Sequence, residues 1–426
     1  MKKIYLLTFL LVSQLLAQPD FVAERNIIQS GKFYNSEIHF FPSEQDYPVY
    51  YSYKISYSQL FFEKNADQFN AGFNVNIEIK DSSGNVVKRT SDDRKISVKN
   101  FEETNSEATF LQGVISFNLP EGKYNLLTII SDEISKRERR IPQVSLDLKK
   151  SNTLLNPIVF DPGKIICDGL NSFILSNNSA SIPFNKPTDD LVVPVANQEI
   201  NSLTIKVKRG DKVLIEEEKI TESILARPEI KLCDDKVVIN ESADTSNLKL
   251  FLIKNFSSKL TEGPIQLEVY PDDAAEQKQT FNLNVIWIGK PISLSDAEEA
   301  IKFIELIESK DVVSNIFSGS GDDIENLYNY WNKLDPTPET KFNELMNEFY
   351  TRVDYCEMNF KTLAGTGGAK SDRGKTYIKF GPPDSIDRDT DNHDKVVESW
   401  MYKKSQRKFI FVDNDGTGVF TLANGQ

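Results

Sequence analysis

Apolar and polar residues alternate with a period of two along much of the first two thirds of the chain. Phe73, Val75, Ile77 and Ile79 are separated by Asn74, Asn76, Glu78 and Lys80, the pattern of a strand with one buried face. Asp81-Ser82-Ser83-Gly84 follows as a hairpin turn. Val49, Tyr51, Tyr53, Ile55 and Tyr57 alternate in the same way, and Pro120-Glu121-Gly122-Lys123 turns the chain into a strand over residues 124–130. Residues 20–150 are therefore expected to be all-β. Strands at turn-punctuated spacing predict an immunoglobulin-like sandwich. The tyrosine row has two readings, one face of the sandwich or an exposed platform for sugars.

A second β-sandwich is expected over residues 151–291. Leu203, Ile205 and Val207 alternate ahead of the turn Arg209-Gly210-Asp211-Lys212, and further strands are expected at residues 248–253, 264–270 and 281–288. Arg209-Gly210-Asp211 matches the adhesion tripeptide, but its place in a hairpin accounts for it. The polar, Pro-containing residues 177–190 are expected to form a surface loop.

After Pro291 the period changes. Ser295 and Glu298 are expected to form a capping box, and Ala297, Ile301, Ile304 and Ile307 one apolar helix face. Ile324, Leu327, Tyr328 and Trp331 mark a second helix. Thr337 is expected to cap a third, with Pro338 at its first position. That helix carries Phe342, Leu345, Met346, Phe349, Val353, Cys356 and Phe360 on one stripe, so Cys356 is read as a core thiol. Residues 376–380 are expected to be a strand stopped by Gly381-Pro382-Pro383, since proline has no N–H for the ladder. A charged loop and strands at 396–402, 408–412 and 418–422 complete a small meander. The fold class is thus multidomain and mainly β, with a helical segment and an α+β meander module over residues 294–426.

The length of 426 residues suits about three domains. Asp and Glu number 63 against 50 Lys and Arg, so the chain lacks the positive field that nucleic acid demands, and no nucleic-acid partner is expected. Lys2 and Lys3 precede an apolar run over residues 4–16 and then Ala17. Residues 1–17 therefore read as an export signal, and the mature chain as a soluble periplasmic or extracellular protein with no transmembrane segment.

Candidate chemistry is sparse. There are two histidines, His39 and His393, and no G-x-S-x-G or H-E-x-x-H, so no catalytic residue, metal site or cofactor is assigned. Cys167 and Cys233 fall in one domain, either as a disulfide of an oxidising compartment or as two buried thiols. Residues 365–371 depart from a phosphate loop because Ala369 stands between Gly368 and Lys370. Asp387, Asp389, Asp391, Asp394 and His393, and separately Asp413-Asn414-Asp415-Gly416, have the oxygen-rich look of cation loops. A solvated loop and a tight hairpin describe them better.

One resemblance stands out. Trp331-Asn332-Lys333-Leu334-Asp335-Pro336-Thr337-Pro338, Phe349-Tyr350-Thr351-Arg352-Val353, Ser371-Asp372-Arg373-Gly374-Lys375-Thr376-Tyr377-Ile378-Lys379-Phe380-Gly381-Pro382-Pro383-Asp384, Glu398-Ser399-Trp400-Met401-Tyr402 and Phe409-Ile410-Phe411-Val412-Asp413 together resemble the GWxTD-domain family, over the last third of the chain. The naming motif falls on Gly368-Ala369-Lys370-Ser371-Asp372: Gly368 and Asp372 are kept, Ser371 replaces Thr, and Ala369 stands where the family has Trp. The resemblance implies an exported bacterial envelope protein with β domains upstream, and no established reaction. It points to Gly368, Ser371, Asp372, Arg373, Gly374, Gly381, Pro382, Pro383, Asp384 and Trp400 as motif positions with structural roles. The expected function is a noncatalytic scaffold that meets other envelope proteins. The alternatives are an envelope glycan- or peptide-processing enzyme using carboxylates near Asp372 and Asp384, or a glycan-binding module using the tyrosine row.

Overall fold

The computed structural model describes residues 34–43, 46–149, 153–176, 180–242, 248–361 and 367–425. The expected export signal at residues 1–17 lies outside them. The protein is mainly β, built from several antiparallel sheets.

In the first β unit, the strands Asn35–Phe40, Tyr47–Ser56 and Phe110–Leu119 form one sheet. A second is built on Gln68–Asp81, which pairs with Val86–Val98 and Gly122–Asp132. Val49, Tyr51, Tyr53 and Ile55 share a buried cluster with Phe73, Val75, Ile77 and Ile79. The tyrosine row therefore lines the core and presents no platform: Tyr51 and Tyr53 are fully buried. Their hydroxyls are satisfied internally, Tyr34 donating to Tyr51 at 3.1 Å and Tyr53 to Asp92 at 2.7 Å.

Alternation alone would leave the other face of Tyr47–Ser56 in water. Instead Tyr50 and Ser52 are also buried, and residues of the second β unit pack against Tyr50. Phe41 and Tyr50 pack in one apolar cluster with Leu155, Ile158, Val237 and Ile239. Hydrogen bonds cross the seam: Lys54 Nζ donates to Leu175 O at 3.2 Å, and Asn156 Nδ2 to Ile38 O at 3.3 Å.

The second unit pairs a seven-stranded with a five-stranded sheet. Cys167 and Cys233, which end the strands Ile158–Cys167 and Arg227–Cys233, form a disulfide. The surface loop expected over residues 177–190 is corrected where it is described. Ser181–Pro183 is a strand parallel to Gln279–Ile286, and Ile182 and Phe184 are buried. A short apolar triplet inside a polar stretch is enough to anchor the segment in the core.

Among the described residues five α-helices follow: α1 (Ala297–Phe303), α2 (Lys310–Phe317), α3 (Asp323–Asn332), α4 (Glu344–Asn359) and α5 (Asp372–Phe380). The Ser295–Glu298 box is not formed. Ser295 has helical dihedrals, so the extended cap position passes to Asp296, which accepts from Glu299 N. Likewise α4 starts later than expected. Thr337 and Pro338 lie in a turn closed by Thr340 N to Thr337 O. Asn343 is the cap, accepting from Met346 N at 2.8 Å while its amide donates to Trp331 O at 2.9 Å. The α4 stripe is buried, except that Leu345 is exposed.

The largest correction concerns residues 376–380, which are helix rather than strand. Ser371 is extended and its hydroxyl accepts from Gly374 N at 3.0 Å, a helix start. Thr376 Oγ1 donates back to Asp372 O at 2.8 Å. Gly381, at φ 78°, ends the helix, in a conformation that Gly adopts without strain. Gly374 and Ile378, one turn apart, are both buried, so the true period here is near four.

The terminal sheet runs Ser385–Thr390, Val396–Tyr402, Arg407–Asp413 and Phe420–Gly425 in antiparallel order. Its first strand, Ser385–Thr390, replaces the charged loop that the sequence predicts there. All six of its residues are exposed, which suits an edge strand whose charges discourage further pairing. One buried apolar cluster runs from the second β unit through the helices to this sheet. Phe184, Trp287 and Phe342 carry it across residue 291, with ring centroids 5.4–5.5 Å apart. No helix among the described residues is long and apolar enough to cross a membrane.

Candidate functional site

The motif residues converge where α4, α5 and the terminal sheet meet. The single turn Gly368–Lys370 is wedged between the two helices. A side chain at Gly368 would strike the carbonyl oxygen of Cys356, and one at Gly374 the carbonyl oxygen of Gly368. Cys356 Sγ lies 3.6 Å from Gly374 O. Burial pushes this thiol up to about 12, so it is packing rather than nucleophile. Ala369, at the family's Trp position, is fully buried, and its N–H donates to Glu357 Oε1 at 3.0 Å.

The next residues tie α5 to the sheet. Asp372 Oδ2 accepts from Leu422 N at 2.9 Å, which ties α5 to the last strand. Arg373 points inward. Its guanidinium stacks 4.1 Å from the Phe420 ring centroid and 5.0 Å from that of Phe360, and donates to Glu398 Oε2 at 3.2 Å. Glu398 also receives Arg388 at 3.0 Å and, on its other oxygen, Trp400 Nε1 at 2.6 Å. Loss of water around Arg373 lowers its pKa, and the Glu398 carboxylate opposes that shift. Trp400 is fully buried against Phe411 and Phe360.

The far end of α5 is fixed in the same manner. Tyr402 Oη donates to Gly381 O at 2.9 Å, and Arg352 Nη1 to Ile378 O at 2.9 Å. Pro382 is exposed and Pro383 half-buried as the chain leaves the helix. Asp384 Oδ2 accepts from Lys403 N at 2.6 Å, which pins the start of the sheet.

The acidic loops resolve into turn chemistry. Asp391 Oδ1 accepts from His393 N at 2.8 Å and Lys395 N at 2.9 Å, and Asp413 accepts from Thr417 N and Gly418 N. No group of three or more His, Cys, Asp or Glu placed to hold a metal ion occurs among the described residues.

Sequence reasoning singled out Asp372, Arg373 and Trp400 but passed over Glu398, their common partner. The signal was present: Glu398 has the parity of Trp400 and Tyr402, the inward face of its strand. A carboxylate on an apolar face needs a cation, and Glu398 meets two, the buried Arg373 and the exposed Arg388.

Residues 272–422, which contain this joint, match the model of the GWxTD domain. The matched span begins before the helices and takes in the strand Gln279–Ile286 of the five-stranded sheet, as the continuous core requires. No curated protein matches the chain.

Proposed function

We propose that this protein is an exported, noncatalytic component of a bacterial cell envelope, acting as a scaffold that presents its surfaces to other envelope proteins. The reading of its two β units as immunoglobulin-like modules belongs to the same proposal. The observation that carries it is how the motif side chains are used. The carboxylates of Asp372 and Asp384 each accept a backbone N–H that shapes the terminal sheet, and Glu398 is bonded to two arginines and Trp400. A general acid or nucleophile needs a group free to act on substrate, whereas these groups hold the fold.

The test is fractionation and crosslinking in cells of the source organism, with the full chain and an Asp384→Asn variant. A mature chain beginning near Gln18, outside the cytoplasm, with the same crosslinked proteins for both forms, supports the proposal. An uncleaved cytoplasmic chain would overturn it, as would a well-folded Asp384→Asn chain that has lost the crosslinked proteins.

A further inference from the structure

The seven-stranded sheet has one face only partly covered. Phe41 and Tyr50 of the first β unit seat on one part of it. Beside them the same apolar cluster opens into a groove of about 340 Å³, floored by Phe160, Phe173, Val192, Leu250 and Leu252 and walled by Ile224. Ile224 and its neighbour Leu225 are 45% and 55% exposed, unusual for two consecutive large apolar residues on a strand.

The groove lies along an open edge. Ser223–Leu225 is the last strand of the sheet and, among the described residues, pairs only with Lys249–Ile253. Leu252 N donates to Glu222 O and Ala226 N to Leu248 O, in register with the Ile224–Leu250 pair. Bonded and non-bonded pairs alternate in an antiparallel ladder. The N–H and C=O of Ser223 and Leu225 therefore point away from the sheet, toward the open side. At the rim Glu222 is paired with Lys254 at 2.6 Å, and Asp190, which also lines the groove, is buried and accepts from Asn255 N at 2.7 Å. Lys164 sits 6.0 Å from the Phe173 ring centroid, with no carboxylate in ion-pair distance among the described residues.

We infer that this edge and groove bind an extended strand of a separate envelope protein, with apolar side chains at alternate positions and an acidic residue beside Lys164. The edge supplies the backbone ladder and the groove takes every second side chain. The groove belongs to the same apolar cluster that holds Phe41 and Tyr50 of the first β unit, so that cluster already accepts aromatic side chains within this chain. The inference rests on the scaffold reading. It fails separately, because absence of strand binding leaves location and crosslinking unaffected.

The test uses the full mature chain and a fluorescein-labelled peptide with Phe at alternate positions, Thr between them and Glu at both ends. Saturable anisotropy is expected, and a peptide with Ser in place of Phe should not bind. Leu225→Pro removes an N–H that faces the open side and so spares the ladder. It should leave the melting temperature unchanged and weaken binding at least about tenfold, a loss of about 1.4 kcal/mol. Ile224→Glu should do the same through the groove. Equal binding of both peptides, or full binding by both folded variants, would overturn the inference. So would no binding by a chain that sediments as a monomer. A dimer that Leu225→Pro dissociates would assign the edge to a second copy instead, and would equally overturn it.

Discussion

Arg373 and Glu398 join the first turn of α5 to an inner strand of the terminal sheet, 3.2 Å apart, with side chains 11% and 3% exposed. Removing one member of such a pair leaves the other charge buried, which costs ~3–5 kcal/mol. Glu398→Ala should fall in that range by urea unfolding. Arg388 reaches the same carboxylate but is 64% exposed. Arg388→Ala should therefore cost under about 1 kcal/mol. Equal effects of the two substitutions would show that the buried pair does not hold the joint.

Gly374→Ala tests the close approach of α5 to the turn before it. An Ala in a helix is ordinarily worth about 1 kcal/mol over Gly. Here the new methyl meets the carbonyl of Gly368, a backbone atom that cannot swing aside. Overpacking should win, with a net loss of roughly 1–3 kcal/mol. A rise in melting temperature would contradict the packing described for Gly368 and Gly374.

Much of this was legible in the sequence, and the errors have physical causes. The period of two at Phe73 to Ile79 and the stripe on α4 both led to the core, because each element buries one wide face. Residues 376–380 misled because Ile378 and Phe380 also fit a strand, and the cap at Ser371 sits at the end of a Gly-rich stretch weighed as a phosphate loop. Tyr50 and Ser52 look like a solvent face, since alternation cannot reveal that a second domain packs against Tyr50. Tertiary contact decides such positions. The joint was half legible: the motif named Asp372 and Arg373, but Glu398 follows only once its strand parity is set beside the buried arginine.

The thiol of Cys356 should be silent in the native state. Burial raises it to about 12, so at pH 8 it is almost wholly protonated and shielded. Iodoacetamide should leave the native chain unmodified and add one label in denaturant without reductant, since Cys167 and Cys233 are bonded. Fast labelling of the native chain would contradict this.

His39 should make stability depend on pH. It is buried, its ring nitrogens make no hydrogen bond although Glu37 Oε1 lies 3.7 Å from Nε2, and burial outweighs that carboxylate and lowers its pKa to about 4. Its folded pKa is below the unfolded value near 6.5. The unfolded chain therefore binds the proton first, and stability present above pH 6.5 is lost as pH falls toward 4. Asp189, raised to about 6 by burial, acts in the opposite sense: its contribution improves as pH falls from 6 toward 4. The difference between wild type and His39→Leu removes that background. From pH 7 to pH 4 wild type should lose about 3 kcal/mol more than the variant. A difference that does not change with pH would show that His39 is not held neutral.

The most direct test of the account asks whether the motif makes the helices and the terminal sheet one folding unit. The chain has three tryptophans, all fully buried: Trp287 at the seam with the second β unit, Trp331 among the helices and Trp400 in the sheet. With 5-fluorotryptophan incorporated, each gives its own fluorine resonance in a urea titration. The native signals of Trp331 and Trp400 should disappear at one urea concentration. Ile378→Ala, which empties a buried site under α5, should lower both midpoints together at a cost of ~2–5 kcal/mol. Loss of the Trp400 signal while Trp331 stays native, or an Ile378→Ala shift confined to Trp400, would contradict it.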